Sequence, residues 1–141
     1  MQDLLKDYPV IVEQQVAWGD MDAALHVNNT VYFRYFETGR IQYFDAVGFT
    51  NFTDIGPILA ETSCRYKFPL IYPDTISIGT RTLPDSFYEF GFVMEYVVVS
   101  HQHQQIAAKG TARIVSFDYT KRQKAPVPEA LKSQILAFEN Q

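Results

Sequence analysis

The chain has 141 residues, of which 47% are hydrophobic and 15% aromatic, and its formal net charge is −4. These values predict one globular domain spanning residues 1–141 and exclude a disordered polypeptide, because the apolar side chains suffice to form a core. The negative charge argues against a dedicated nucleic-acid-binding protein, which is usually basic. The single cysteine, Cys64, excludes an internal disulfide.

The sequence carries no recognisable targeting pattern. Its first ten residues include acidic side chains and lack the apolar segment of a signal peptide. No run approaches the roughly 18 apolar residues that a membrane-spanning helix needs, and the last four residues match no lipidation or sorting signal. We therefore expect a cytoplasmic protein without membrane insertion.

In chain order, the residues predict a strand, a long helix, four more strands and a short closing helix. β-Prone residues over 8–18, including Trp18, indicate the first strand. One helix against one antiparallel sheet is an α+β layout. Prolines and turn-forming residues set the boundaries of the later elements. The predicted elements are a helix at 30–47, a loop at 49–58, strands at 59–68, 75–82, 87–99 and 106–119, an exposed link at 120–124 and a helix at 128–139.

The long helix is predicted from aromatic and small side chains that recur at helical spacing. Few polar residues remain for a solvent face, so the helix is expected to be buried on most of its sides. Gly48 is suited to end it in the left-handed conformation, whereas Gly39 is costly inside a helix and suggests close contact with the sheet. The predicted buried face consists of Tyr32, Phe36, Gly39, Tyr43 and Val47.

Polar and turn-forming residues crowd the segment just before this helix, WGDMDAALHVNN at 18–29. Asn28 or Asn29 is a good N-cap, because its side-chain oxygen can accept from unpaired amides of the first turn. A helix N-terminus carries partial positive charge and free N–H groups, and Asp22 lies shortly before it. The pattern therefore predicts a carboxylate beside hydrogen-bond donors, although Asp22 could also serve only in an Asx turn.

Two longer runs resemble a known family. WGDMDAALHVNNTVYFRYFETGRI resembles the opening motif of the hotdog-fold acyl-CoA thioesterases of the hydroxybenzoyl-CoA thioesterase type, and RYKFPLIYPDTISI resembles the family's second and third strands. The resemblance implies a hotdog fold, in which a curved five-stranded antiparallel sheet wraps a long central helix. It also implies a homodimer or homotetramer that binds acyl-CoA at the subunit interface, with no cofactor.

By this resemblance, Asp22 is the catalytic carboxylate and the backbone amide of Asn29 points at the thioester carbonyl. A carboxylate can attack the carbonyl carbon or take a proton from water, and the sequence leaves both mechanisms open. The amides at the helix start would stabilise the oxyanion. His26 is expected to orient Asp22, to bind substrate or simply to satisfy loop carbonyls, and Asp20 to order the loop by hydrogen bonding. One His beside one Asp is a poor metal site, so no metal is expected.

Substrate contacts are expected from the helix and from basic residues near the mouth of the site. Asn28, Tyr32 and Phe36 are candidates for binding the substrate. The aromatic side chains that could line an acyl tunnel are Tyr32, Tyr35, Phe36, Tyr66 and Phe68, although most of them should belong to the core. The phosphates of CoA require cationic partners, for which Arg65, Lys67, Lys121 and Arg122 are the candidates.

Other assignments fit parts of the same pattern. A hotdog hydratase or dehydratase uses an Asp and a His together, which Asp22 and His26 superficially match, but the Asn-Pro between them that is associated with those enzymes is missing. A non-catalytic module that binds acyl thioesters is the third interpretation. Glu37 is the next carboxylate to consider, with Arg34 and Arg40 placed to neutralise it. The sequence does not specify the acyl chain of the substrate. It also does not distinguish CoA from acyl carrier protein as the thiol carrier.

Overall fold

The computed structural model describes all 141 residues, and its secondary structure confirms the α+β architecture. Short 3₁₀ turns lie at Trp18–Asp20 and Pro84–Ser86. None of the helices is both long and apolar enough to span a membrane. The elements are α1 (Gln2–Leu5), β1 (Val10–Gln15), α2 (Val31–Val47), β2 (Ile55–Tyr66), β3 (Thr75–Thr82), β4 (Gly91–Ser100), β5 (Gln105–Asp118), β6 (Gln123–Lys124) and α3 (Glu129–Glu139).

The strands form one antiparallel sheet in the order β1-β3-β4-β5-β2, and the two-residue β6 pairs with β5. The connection from β1 to β2 contains α2, which lies against one face of the sheet, mainly over β3 and β1. The five main strands around one long helix agree with the predicted sheet. Because β1 and β2 are its edges, the backbone on the outer side of β2 is unpaired within the chain.

The core lies between α2 and the sheet, and all five residues of the predicted helix face are buried there. The ring of Phe36 stacks on that of Tyr96, with centroids 4.7 Å apart. A Cβ on Gly39 would overlap Oγ1 of Thr80, so the sheet does approach the helix closely at this glycine. Gly48 ends the helix with φ of 79°, as predicted.

The expectation that α2 is buried on most sides is wrong for a single chain. Phe33 and Ile41 on its opposite side are 36% and 52% exposed, because the sheet covers only one side of the helix. Nε of Arg34 lies 3.7 Å from Oε1 of Glu37, and both side chains are exposed. Arg40 instead donates a hydrogen bond to the hydroxyl of Tyr96 at 3.1 Å.

Several predicted boundaries differ from the structure. The first strand stops at Gln15, and Trp18 lies beyond it in a turn, 65% exposed. The strand predicted at 59–68 begins at Ile55, since an edge strand tolerates Pro57. The strand predicted at 87–99 begins at Gly91, after a tight turn in which Tyr88 and Gly91 pair. The short elements α1 and β6 have no counterpart in the prediction.

Candidate active site

The segment between β1 and α2 folds into a tight loop built around Asp22. Met21 and Val27 pair as an isolated antiparallel bridge, which brings the two arms of the loop together. The N–H of Asp22 donates to the carbonyl of His26 at 2.8 Å, and the N–H of Asn28 donates to the carbonyl of Asp20 at 2.9 Å. These backbone bonds fix the loop beside the start of α2.

The two carboxylate oxygens of Asp22 have different surroundings. Oδ1 accepts the backbone N–H groups of Ala24 at 2.9 Å and His26 at 3.3 Å. Oδ2 accepts no hydrogen bond within the chain, and the residue is half-buried. The Asx turn is therefore present, and it leaves one oxygen of the carboxylate available for chemistry.

The start of α2 presents an amide that has no partner in the chain. The residue just before the helix is Thr30, whose side chain makes no capping hydrogen bond, so the predicted asparagine N-cap is not found. Asn28 instead forms a turn ahead of the helix, as its Oδ1 accepts both the N–H and the hydroxyl of Thr30 at 2.9 Å. Its carbonyl accepts the N–H of Val31 at 2.9 Å, and the helix begins there, one residue later than predicted. The N–H of Asn29 makes no hydrogen bond within the chain, while its carbonyl accepts the hydroxyl of Tyr66 at 2.7 Å.

Tyr66 at the end of β2 thus holds the residue that presents the free amide. Its ring contacts Tyr32 edge to face, with centroids 5.0 Å apart. Desolvation is the main reason that the pKa of Tyr66 is raised to about 12, so the hydroxyl stays protonated and can donate. Burial likewise raises the pKa of the nearby Cys64 thiol, which disfavours its reactive thiolate form.

A groove of about 660 Å³ runs along the exposed side of α2, between the helix and the edge strands β1 and β2. Asp20 lines this groove and Asp22 does not. The carboxylate of Asp20 makes no hydrogen bond within the chain, so Asp20 orders the loop through its backbone and not through the side chain as expected. The polar residues of the groove, besides Tyr35 and the exposed Arg34, are Gln14, Asp20, Thr30, Glu37, Arg40 and Thr62.

A smaller groove of about 250 Å³ lies further along α2. It shares Glu37, Arg40 and Leu59 with the larger groove, but most of its wall is apolar. The exposed side of α2 therefore has a polar part near the Asp22 loop and an apolar part beyond it. The apolar residues of this smaller groove are Ile41, Phe44, Phe52, Pro57, Ile58, Leu59 and Ile114.

The structure brings together some of the predicted site residues and separates others. Asp22, His26, Asn28 and Asn29 share one loop, although the His26 side chain makes no hydrogen bond within the chain. Tyr32 and Phe36 are 3% and 1% exposed, belong to the core and line neither groove. At the end of β2, next to Tyr66, are the exposed Arg65 and Lys67.

Two tyrosines of this region were expected from the sequence only as possible lining of an acyl tunnel. The hydroxyl of Tyr66 donates to the carbonyl of Asn29, and Tyr35 forms part of the wall of the larger groove. Helical or strand periodicity reports which face a ring lies on but not what its hydroxyl meets. No group of three or more His, Cys, Asp or Glu side chains is arranged to hold a metal ion.

Comparisons with known proteins give consistent matches. A family model described as the thioesterase-like superfamily matches residues 16–135. A curated relative from Aquifex aeolicus (strain VF5), named "Putative esterase", is 31% identical over 94 residues, covering 64% of this chain and 72% of the relative. The solved structure of a thioesterase from Thermus thermophilus, complexed with coenzyme A and Zn, is 29% identical, with a TM-score of 0.83 over 96% of this chain and 98% of the other.

A second solved structure, the PA2801 protein of Pseudomonas aeruginosa, is 25% identical, with a TM-score of 0.79 over 91% of this chain and 98% of the other. The family match runs from the loop after β1 into α3, so it includes the Asp22 loop, α2 and the strands β2 to β6. The predicted hotdog fold and the predicted enzyme class, a thioester hydrolase, are confirmed. The chain belongs to the thioesterase-like superfamily.

Proposed function

We propose that this chain hydrolyses the thioester of an acyl-CoA to the free acid and CoA, with Asp22 as base or nucleophile and the N–H of Asn29 as oxyanion donor. One observation carries the assignment. Oδ2 of Asp22 and the N–H of Asn29 both lack partners within the chain, and they belong to one hydrogen-bonded loop at the N-terminus of the 17-residue helix α2. CoA as the thiol partner is supported by its presence in the Thermus relative.

The chemistry follows from these two groups by either of two routes. Asp22 takes a proton from water while the water oxygen attacks the carbonyl carbon, or it attacks directly and forms a mixed anhydride that water then hydrolyses. In both routes the carbonyl oxygen gains negative charge before the CoA thiolate leaves. The N–H of Asn29 and the positive end of α2 stabilise that charge, and such a donor typically contributes about 10²–10³ in kcat.

The competing hydratase assignment needs an Asp and a His side chain that act together. Here the hydrogen bond between Asp22 and His26 runs from the backbone N–H of His26 to the carboxylate, and the imidazole makes no bond to Asp22. The geometry thus favours hydrolysis over hydration. A non-catalytic binding module differs from both in showing no turnover.

The assignment of Asp22 is tested by Asp22→Asn with Asp20→Asn as the matched control. Asn keeps an oxygen that can accept the N–H groups of Ala24 and His26, so the loop should persist, but it lacks the basicity and charge of the carboxylate. We expect Asp22→Asn to lose about 10²-fold or more in kcat for acyl-CoA hydrolysis, and Asp20→Asn to lose less. Thiol release over a panel of acyl-CoAs measures both.

Retention by Asp22→Asn of more than about a third of the wild-type kcat would refute this role. Glu37, which lines both grooves on α2, would then be the carboxylate to test next. Circular dichroism and thermal melting of both variants establish that any loss is chemical and not a loss of fold.

The active enzyme in this proposal is a homodimer, or a tetramer built from two such dimers. The 12-residue edge strand β2 has an unpaired backbone on its outer side, and such an edge is suited to pair with another strand. Beside it the chain exposes a group of large apolar side chains, more than isolated surface positions explain. These are Phe33, Ile41, Phe52, Ile58 and Leu59.

A further inference from the structure

Two opposite charges, Glu61 and Arg65, lie on the face of the edge strand β2 that points away from α2. The residue between them on this face is Ser63, and all three are exposed. Side chains alternate between the two faces of a strand, and Tyr66, which contacts Tyr32 of α2, belongs to the opposite face. The outward face of β2 therefore presents an acid, a serine and a base in steps of two residues.

Neither of these two charges is neutralised within the chain. Glu61 and Arg65 take part in no salt bridge. The residue directly opposite Arg65 on β5 is Lys109, and like charges directly opposite each other in a sheet are destabilising. Arg113 lies opposite Glu61, but its guanidinium donates to the hydroxyl of Tyr88 at 3.4 Å. The free edge of β2 thus offers an unpaired acid and an unpaired base to a neighbouring strand.

The charges on β2 are complementary to those of its own two-fold image. In a symmetric dimer each contact between two different residues occurs twice. An antiparallel pairing centred on Ser63 places Glu61 of each copy directly opposite the partner's Arg65. The segment 61–66 is regular enough for this pairing, because the register shift of β2 against β5 lies before it, between Leu59 and Glu61.

Other symmetric registers give poorer charge pairing. Directly opposite side chains point to the same face of a sheet, so a register centred between two residues would set unlike faces against each other. Centring on Glu61 or on Arg65 sets that charge against its own copy. Centring on Thr62 forms no ion pair, and centring on Cys64 pairs Glu61 only with the partner's Lys67, which lies beyond the end of β2.

We propose that β2 pairs antiparallel with β2 of a second copy of this chain in the register centred on Ser63, and that reciprocal ion pairs between Glu61 and the partner's Arg65 select this register. The proposal rests on the dimer inferred above and adds its register. Exposed ion pairs contribute little affinity, but they discriminate between registers and between partners. Arg65 then acts at the interface, on the face away from α2, and not on a CoA phosphate as expected from the sequence.

This register also identifies what the partner adds to the site. Tyr66 lies opposite the partner's Ala60, and neighbouring strands of a sheet are about 4.8 Å apart. Next to that alanine is the partner's Leu59, a residue that lines both grooves of its own chain. Because the hydroxyl of Tyr66 donates to the carbonyl of Asn29, the grooves of one copy begin beside the free amide of the other. A single chain therefore lacks one wall of its own site.

Charge reversal tests the register. Glu61→Arg and Arg65→Glu each replace two attractions across the interface by two repulsions. Each should raise the dissociation constant of the dimer by about tenfold or more in sedimentation equilibrium, and by less in about 1 M salt. The double variant Glu61→Arg/Arg65→Glu re-forms both pairs with reversed sign, so its dissociation constant should return to within about threefold of the wild-type value.

A matched control is available on the other edge of the sheet. Glu13 is an exposed glutamate on β1 and belongs to no salt bridge. Glu13→Arg makes the same change of charge as Glu61→Arg, and it should leave the dissociation constant unchanged. Circular dichroism of every variant establishes that it folds like the wild type.

Mixing the two single variants gives an independent test. One chain then has arginine at both positions and the other has glutamate at both, so the heterodimer re-forms both ion pairs and each homodimer forms neither. Native mass spectrometry of an equimolar mixture should find heterodimers well above the half, roughly, that random pairing gives.

Several results would overturn the proposal. These are a wild-type protein that is monomeric at micromolar concentration, single variants that dimerise like the wild type, a double variant that dissociates as readily as the singles, and random pairing in the mixture. None of these measurements uses a substrate. The register can therefore fail while acyl-CoA hydrolysis is found, or hold while no hydrolysis is found.

Discussion

At the scale of single residues, hydrogen-bond capacity decides what each polar side chain of the site can do. Asp22 has about four acceptor positions on its two oxygens, and two N–H groups of its own loop occupy only Oδ1. Asn28 uses its side chain on Thr30, which leaves the neighbouring N–H of Asn29 free. The loop therefore keeps its shape with short-range bonds and still presents an acceptor and a donor.

Glu139 on α3 gives a prediction for pH dependence. Its Oε2 accepts the hydroxyl of Tyr43 and the N–H of Thr82, and burial raises its pKa in spite of these bonds. The folded state thus holds this proton more tightly than the unfolded state. The contribution of this bound proton to the free energy of unfolding is complete below the unfolded pKa of about 4.3. It is lost as the pH rises through the folded pKa of Glu139.

Glu139→Gln removes this titration and keeps an oxygen that can accept both bonds. The free energy of unfolding of the variant, relative to the wild type, should therefore increase as the pH rises from about 4 to 7. Urea denaturation at several pH values measures the difference. Glu129→Gln, in the exposed first turn of the same helix, controls for the loss of one charge. A difference in the free energy of unfolding between Glu139→Gln and wild type that stays constant with pH would contradict the prediction.

At the scale of elements, α2 carries two unlike faces. One face packs on the sheet so closely that a glycine is needed, and the other forms the walls of both grooves. The helix therefore links the core to the site, because a shift of α2 against β3 would move Thr30, Tyr35 and Glu37 together. The sheet holds the helix start as well, through the hydrogen bond from Tyr66 on β2 to Asn29.

Gly39→Ala tests the close approach of helix and sheet. Alanine favours a helix by about 1 kcal/mol over glycine, but its Cβ would overlap Oγ1 of the buried Thr80 and crowd Cγ2 of Ile78. We expect a net destabilisation of about 1–3 kcal/mol, since β-branched buried side chains have little freedom to move. Gly19→Ala is the control, because nothing lies within 4 Å of its Cβ position. Equal free energies of unfolding for the two variants would refute the account.

At the scale of the whole molecule, one chain leaves the site open on the side away from the sheet. The exposed side of α2, the edge of β2 and both grooves form one continuous region. A second copy that pairs along β2 would cover the apolar side chains and close the grooves. Such a proposed dimer would explain how Asp22, which lines neither groove in the single chain, could lie at an acyl-CoA site.

The proposed assembly is tested by charge substitutions on the two sheet edges. Leu59 on β2 is 41% exposed and Ile11 on β1 is 49% exposed. Leu59→Arg should shift sedimentation towards the monomer, because the charge would be buried in the proposed interface. Ile11→Arg should leave the assembly unchanged. A wild-type protein that sediments as a monomer at micromolar concentration would contradict the dimer and the site between its subunits.

The sequence determined the features that depend on local patterns. The buried face of α2 follows from helical periodicity, and its end at Gly48 follows from the chemistry of helix ends. β3 matched its predicted range, 75–82, because turn residues bound it on both sides and its side chains are largely buried. The predicted start of β2, at residue 59, is four residues after the observed start at Ile55, because on an edge strand Gly56 and Pro57 do not break the pairing.

Only the tertiary structure decided which polar groups meet. Tyr66 reaches Asn29, Asp20 faces the groove with Tyr35, and Tyr32 and Phe36 lie in the core. These outcomes depend on the order of the strands and on how far α2 approaches the sheet. The positions involved are separated along the chain, and Tyr66 and Asn29 are 37 residues apart. Periodicity places a side chain on a face, but packing between distant elements determines its partner.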